Sequence, residues 1–233
     1  MLTLAFDTSA PVGSVAILRD GKLLAETTTH SVASSPRTKS ITHSTNLVPA
    51  IETLLAECKV QSSEFDLFAV GLGPGSFTGI RVAIATAKGF SLATQKPILG
   101  VSSMDALALA HKDRLPQGGT SLAVIVDAGR SEVYCSVYSN LDGQFFKVND
   151  VSIITLEQLR ARILTPTLFI GPEIGTFRND LEKHLGRRAL VDSQPANPSA
   201  HVIALLAEER FSEQEMGDSD LEPIYLRAPA TKT

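Results

Sequence analysis

At 233 residues, with 43% apolar and 20% charged side chains, the chain is long and apolar enough to bury a core, which excludes global disorder. Twenty-five Asp+Glu against 21 Lys+Arg leave a net charge of −4, the wrong sign for a protein that grips nucleic acid by itself. The longest purely apolar run is six residues, Val202 to Ala207, against the ~20 a membrane span needs, and two cysteines make no disulfide framework.

The first segment, Leu2 to Asp7, reads as a short apolar strand ending in an acid, so no leader peptide is expected. A turn with Pro11 and Gly13 precedes a second strand, Ser14 to Leu18. Asp20-Gly21 signals a tight hairpin, and Lys22 to Thr29 reads as the returning strand. His30 to Thr42 is rich in Ser and Thr and reads as a loop. A helix follows, with Leu47, Ile51, Leu54, Leu55 and Cys58 on one face. Leu67–Gly71 is a strand, Ser76 to about Ala93 a helix, Ile98–Val101 a strand and Ser103–His111 a helix.

The second half repeats this order. Leu122 to Asp127 is again an apolar strand ending in an acid, followed by Glu132–Ser139, the hairpin signal Asp142-Gly143, and a third strand from Gln144 to Ile154. Thr155-Leu-Glu-Gln158 is a capping box opening a helix. Strand Thr167–Gly171, helix Thr176–Leu185 stopped by Gly186, a short strand at Ala189–Val191 and a helix from Asn197, with Pro198 at its first position, complete the series. Asp7 and Asp127 lie 120 positions apart, and the two Asp-Gly turns 122 apart. Three strands, helix, strand, helix, strand, helix, twice in order, predicts two α/β domains of like topology. We place the boundary within Lys112–Gly119, giving domains 1–112 and 113–233, with the last helix able to pack across it. The polar tail from Ala228 lies outside both patterns.

The strongest local signal is Gly71-Leu-Gly-Pro-Gly-Ser-Phe-Thr-Gly79, running from a strand into a helix with Ser76 as a natural N-cap. Free amides there suit an anion, and a rigid turn that aims a helix suits the same glycines. It is not a Walker A loop, because Ile80 and Arg81 follow the last glycine. Nor is it a nucleophile elbow, because Pro74 and Thr78 stand where glycines would flank Ser76. Asp7-Thr8-Ser9 sits where a carboxylate organises a metal-bound nucleotide, yet a phosphate-gripping turn wants glycine where Ser9 stands. We read Asp7 as turn-capping rather than catalytic. No two of the five histidines lie close enough for an H-x-x-x-H zinc arrangement, so no metal site is expected. Gly79, Ala83 and Ala87 recur every four residues and permit close helix approach, within the chain or to a partner.

Taken together, Leu4-Ala-Phe-Asp-Thr-Ser9, Gly13-Ser-Val-Ala16, His43-Ser44, Gly73-Pro-Gly-Ser-Phe-Thr-Gly-Ile-Arg81, Lys88-Gly89, Val101-Ser-Ser103, Ala106-Leu-Ala108, Asp127-Ala-Gly-Arg-Ser-Glu-Val-Tyr134 and Pro223-Ile-Tyr-Leu-Arg227 resemble the TsaB (YeaZ) family along nearly the whole chain. That resemblance implies two RNase H-like domains of the actin-like ATPase superfamily. It also implies a non-catalytic cytoplasmic subunit that works with a TsaD-like transferase and a TsaE-like ATPase to make threonylcarbamoyladenosine in tRNA. ATP and a metal would then belong to the partner subunits, tRNA would be met through the complex, and a second copy of the chain is a further candidate partner. On this reading Asp7, Thr8, Ser9, Gly73, Gly75, Ser76, Thr78 and Gly79 are remnants of a nucleotide site. Leu47, Ile51, Leu54, Leu55, Gly79, Ala83 and Ala87 are the expected partner-facing positions. The family often carries Arg where Gly129 stands here. The competing readings are an autonomous ATP-dependent phosphotransferase or ATPase of the same superfamily, and a glycoprotease-type peptidase homologue.

Overall fold

The computed structural model describes residues 1–30, 43–115, 121–141, 143–214, 217–218 and 220–226. The loop read at His30–Thr42 (beyond His30), Pro116–Gly119, Asp142, Arg227 and the tail from Ala228 lie outside them, as do the side chains of His30, His43, Ser44, Thr45, Glu213 and Gln214. The first half runs β1 (Leu2–Asp7), β2 (Val12–Arg19), β3 (Lys22–His30), α1 (His43–Cys58), β4 (Leu67–Gly71), α2 (Phe77–Thr94), β5 (Ile98–Val101) and α3 (Ser103–Ala110). The second runs β6 (Ser121–Gly129), β7 (Glu132–Leu141), β8 (Gln144–Thr155), α4 (Leu159–Arg162), β9 (Thr167–Ile170), α5 (Ile174–Leu185), β10 (Ala189–Val191) and α6 (Ala200–Gln214). The predicted series of eight elements thus occurs twice.

Each half builds a five-stranded mixed sheet, ordered β3-β2-β1-β4-β5 and β8-β7-β6-β9-β10. In both, the first three strands form an antiparallel meander, and the first strand then pairs in parallel with the fourth. The hairpin signal acts as read: Asp20 and Gly21 both take positive φ, 51° and 73°, the twist a two-residue turn needs between right-twisted strands.

β1 is buried along its whole length because helices cover both faces of the sheet. Its alternation assigns the faces. Leu2, Leu4 and Phe6 join Leu47, Ile51 and Leu54 of α1 and Ile80, Ala83, Ile84 and Ala87 of α2. Ala5, with Ala16, Leu18, Ala69 and Leu99, meets Ala200, Ile203, Ala204 and Ala207 of α6. Small residues on both sides of this second contact let α6 lie close to the sheet. The second sheet mirrors this arrangement: Ala123 and Ile125 face α4 and α5, while Leu122 and Val124 face Met104, Leu107 and Ala108 of α3. Each half therefore lends its third helix to the other's sheet. The Tyr138 hydroxyl donates to Asp105 of α3 at 2.5 Å, and Lys147 pairs with the same carboxylate at 2.6 Å, tying α3 to β7 and β8.

Two local expectations shift. α6 begins at Ala200, not Asn197, because Ser199 supplies the cap by accepting from the Val202 amide. The carboxylate of Glu26 takes the Ser199 hydroxyl at 2.9 Å, and Ser14 Oγ takes the Ala200 amide at 3.0 Å, so the helix start is set by contacts to β2 and β3. The capping box at Thr155 and Gln158 forms reciprocally, at 2.9 and 3.2 Å, but opens a single helical turn.

Candidate functional site

β1 delivers Asp7 to the edge of the cleft between the halves, β4 delivers Gly71, and the chain between β4 and α2 folds over both. The Asp7 carboxylate is fully buried. Its Oδ1 accepts from the Ser9 amide and the Ser9 hydroxyl, each at 2.7 Å, and its Oδ2 accepts from the Ser103 hydroxyl. Ser103 also accepts from the Gly73 amide at 2.9 Å and returns its own amide to the Gly73 carbonyl at 3.0 Å. The Thr8 hydroxyl donates to the Gly79 carbonyl at 2.7 Å, and the Ser76 amide donates to the Ser9 carbonyl at 2.7 Å. Ser76 caps α2 as expected, its Oγ accepting from the Gly79 amide at 3.2 Å.

This closeness explains two of the glycines. A Cβ at Gly75 would stand 2.2 Å from the Ser9 carbonyl oxygen, and one at Gly79 would stand 1.8 Å from that of Thr8. The backbones of the Asp7 turn and the Gly73–Gly79 loop are therefore in direct contact, with no gap between them for a ligand. Seven of the eight expected remnant positions, Asp7, Thr8, Ser9, Gly73, Gly75, Ser76 and Gly79, converge here; Thr78 stays at the surface. Ser103 completes the cluster. Its part could be read only from topology, because β5 must pair with β4 before the residue after Ser102 can reach Asp7.

Beside this knot lies a cleft of about 350 Å³ lined by Ser9, Gly75 and Ser76 on one side and by Val126, Asp127 and Glu173 on the other. Asp127 repeats the local geometry of Asp7: its Oδ1 accepts from the amide two residues on, Gly129, at 2.8 Å. Unlike Asp7 it is exposed. Among the described residues no group of three or more His, Cys, Asp or Glu is placed to hold a metal ion. Burial pushes the Cys135 thiol up to about 12 and also raises that of Cys58, which keeps both as protonated thiols near neutral pH.

The partner-facing positions need correction. Leu47, Ile51, Leu54, Gly79, Ala83 and Ala87 are buried in the chain's own core, and Leu55 packs partly against it. Their periodicity marks the inner faces of α1 and α2, since the same apolar spacing serves a core and an interface alike. The outer faces carry Val48, 44% exposed, Phe77, 52%, and Leu92, 76%. At the start of α2 the Arg81 guanidinium lies 3.8 Å over the Phe77 ring, and its Nε donates to the Tyr225 hydroxyl at 2.9 Å.

Two five-stranded mixed sheets of the same strand order, with a cleft between the halves, define a duplicated α/β protein with two RNase H-like halves. The family model described as TsaD, tRNA N6-adenosine threonylcarbamoyltransferase, matches residues 23–170. The tRNA threonylcarbamoyladenosine biosynthesis protein TsaB of Bacillus subtilis is 30% identical, over 97% of this chain and 94% of its own length. The protein of the same name from Haemophilus influenzae is also 30% identical, over 98% and 94%. The solved structure of YeaZ from Pseudomonas aeruginosa superposes with a TM-score of 0.75 at 29% identity, over 97% and 99%. The chain belongs to the TsaB (YeaZ) family.

Proposed function

We propose that the chain is a non-catalytic subunit in the formation of threonylcarbamoyladenosine in tRNA, acting by holding a TsaD-like transferase in its active form. The observation that carries the non-catalytic part is the state of Asp7. Its buried carboxylate accepts three hydrogen bonds from Ser9 and Ser103, and the loop that would cradle a phosphate is hydrogen-bonded to the Asp7 turn. Releasing those groups to bind a metal–nucleotide would leave buried donors and acceptors unpaired, at about 1–3 kcal/mol each. ATP and metal chemistry then belong to the transferase and to a TsaE-like ATPase, in the cytoplasm where tRNA is modified. No helix among the described residues is long and apolar enough to cross a membrane.

The contact with the transferase, or with a second copy, uses the outer faces of α1 and α2 through Val48, Phe77 and Leu92. Val48→Glu with Phe77→Glu should abolish the complex in size-exclusion chromatography and leave the melting temperature of the free chain within a few degrees. An intact complex would refute the assignment. For the pathway, tRNA nucleosides from cells depleted of the chain should lose threonylcarbamoyladenosine in mass spectrometry and regain it with the wild-type gene. The cleft beside Asp127 favours one second reading, an ATPase in its own right. ATP turnover by the isolated chain, lost in Asp7→Ala, would establish that reading instead.

A further inference from the structure

Residues 160–188 carry six Lys+Arg against three Asp+Glu, whereas the rest of the chain carries 15 against 22. The fold sets the two helices that carry most of these cations side by side. α4 packs on α5, and both rest on the same core through Leu159, Ile163, Leu181 and Leu185. The Arg188 guanidinium donates to the Ile163 carbonyl, joining the turn after α5 to the chain leaving α4. Arg160, Lys183 and Arg187 are exposed, and their side chains make no hydrogen bond or ion pair with any described residue. Arg162 is exposed too, steadied by the Ser152 hydroxyl at 2.6 Å. Glu182, the acid next to Lys183, is turned to Arg178 at 3.5 Å. Cations in a last helical turn offset the helix dipole, which accounts for Lys183 but not for Arg187, which lies beyond the end of α5.

We infer that this part of the second half contacts the phosphate backbone of tRNA through Arg160, Arg162, Lys183 and Arg187. The inference rests on the reading of the chain as a tRNA-modification subunit. Arginine suits phosphate because its planar fork offers paired donors and holds its charge at any working pH. α4 and α5 occupy in the second half the places that α1 and α2 occupy in the first, so the RNA and the transferase would meet different wings of the molecule. The chain's overall negative charge keeps such contacts weak alone and useful beside a stronger grip by a partner.

The test is fluorescence anisotropy of an unmodified tRNA transcript with the full chain, wild type against Arg160→Glu/Arg187→Glu. At about 50 mM salt the wild type should bind, the variant should bind at least about tenfold more weakly, and the slope of log K against log salt should fall by about 1.4–1.8, roughly 0.7–0.9 per phosphate contact. Arg19→Glu/Lys22→Glu, at exposed positions of the first half, should change affinity less than about twofold, within the additive effect of surface charge. Thermal melts confirm that each variant is folded. No binding by the wild type, equal losses in both variants, or displacement by an acidic polypeptide as readily as by RNA would overturn the inference. Failure of the underlying reading shows elsewhere, as an unchanged threonylcarbamoyladenosine level after depletion of the chain.

Discussion

Gly79 and Gly89 lie on the same helix, and replacing each with alanine should move stability in opposite directions. At Gly79 the new Cβ would sit 1.8 Å from the Thr8 carbonyl oxygen, where about 3.0 Å is the closest real approach. α2 must therefore retreat by ~1.2 Å, and that retreat stretches the 2.7 Å bond from the Thr8 hydroxyl to the Gly79 carbonyl. Overpacking costs about 1–3 kcal/mol and the weakened buried hydrogen bond about 1 more, while the gain in helix propensity returns about 1. The net is a loss of about 1–3 kcal/mol, or roughly 2–12 °C in melting temperature for a chain of this size. At Gly89 nothing lies within 4 Å of the new atom, so only the propensity gain remains and the melting temperature should rise by about 2–4 °C. Circular-dichroism melts and urea titrations of both variants against the wild type measure the difference. Equal shifts, or a Gly79→Ala protein as stable as the wild type, would refute the claim that loop and turn are in backbone contact.

Other perturbations probe the same structure. Ser103→Ala removes both the donor to Asp7 and the acceptor for the Gly73 amide, and should cost about 1–3 kcal/mol in urea unfolding, while Thr78→Ala at the exposed position should cost under about 0.5. Burial lowers the His111 pKa below its usual ~6.5 despite the hydrogen bond of its Nδ1 with the Leu107 carbonyl, so the unfolded chain binds the proton more tightly. Stability from this source is complete above that usual value and is lost as pH falls through the window beneath it; His111→Gln should flatten this part of the curve of stability against pH. With its thiol at about 12, Cys135 should resist alkylation at pH 8 in the folded protein and react only on unfolding, as mass mapping after iodoacetamide would show.

Much of the architecture was legible because short-range chemistry wrote it. Apolar runs ending in Asp7 and Asp127, Asp-Gly turns and 3.6-residue periodicity marked two copies of one series, and the series came out as read. The Ser76 cap and the Thr155–Gln158 box were legible for the same reason, since their partners are three residues away. The partner-facing positions were misread because periodicity says which residues share a helix face, not what covers that face. Leu47, Ile51 and Leu54 turned out to be covered by the chain's own sheet.

By itself, then, the sequence determined which elements form, their order, their duplication and the turns that join them, all of which depend on residues a few positions apart. Tertiary structure alone decided what each face meets. It sent α6 to the first half's sheet, where rows of alanine allow close packing, and α3 to the second half's, where Met104 and Leu107 meet Leu122 and Val124. It set Ser103 on Asp7 across 96 positions of chain and brought the Arg188 guanidinium to the end of α4. Such contacts join groups remote in sequence, so they exist only once burial of the two sheets has fixed where every strand end and helix terminus lies.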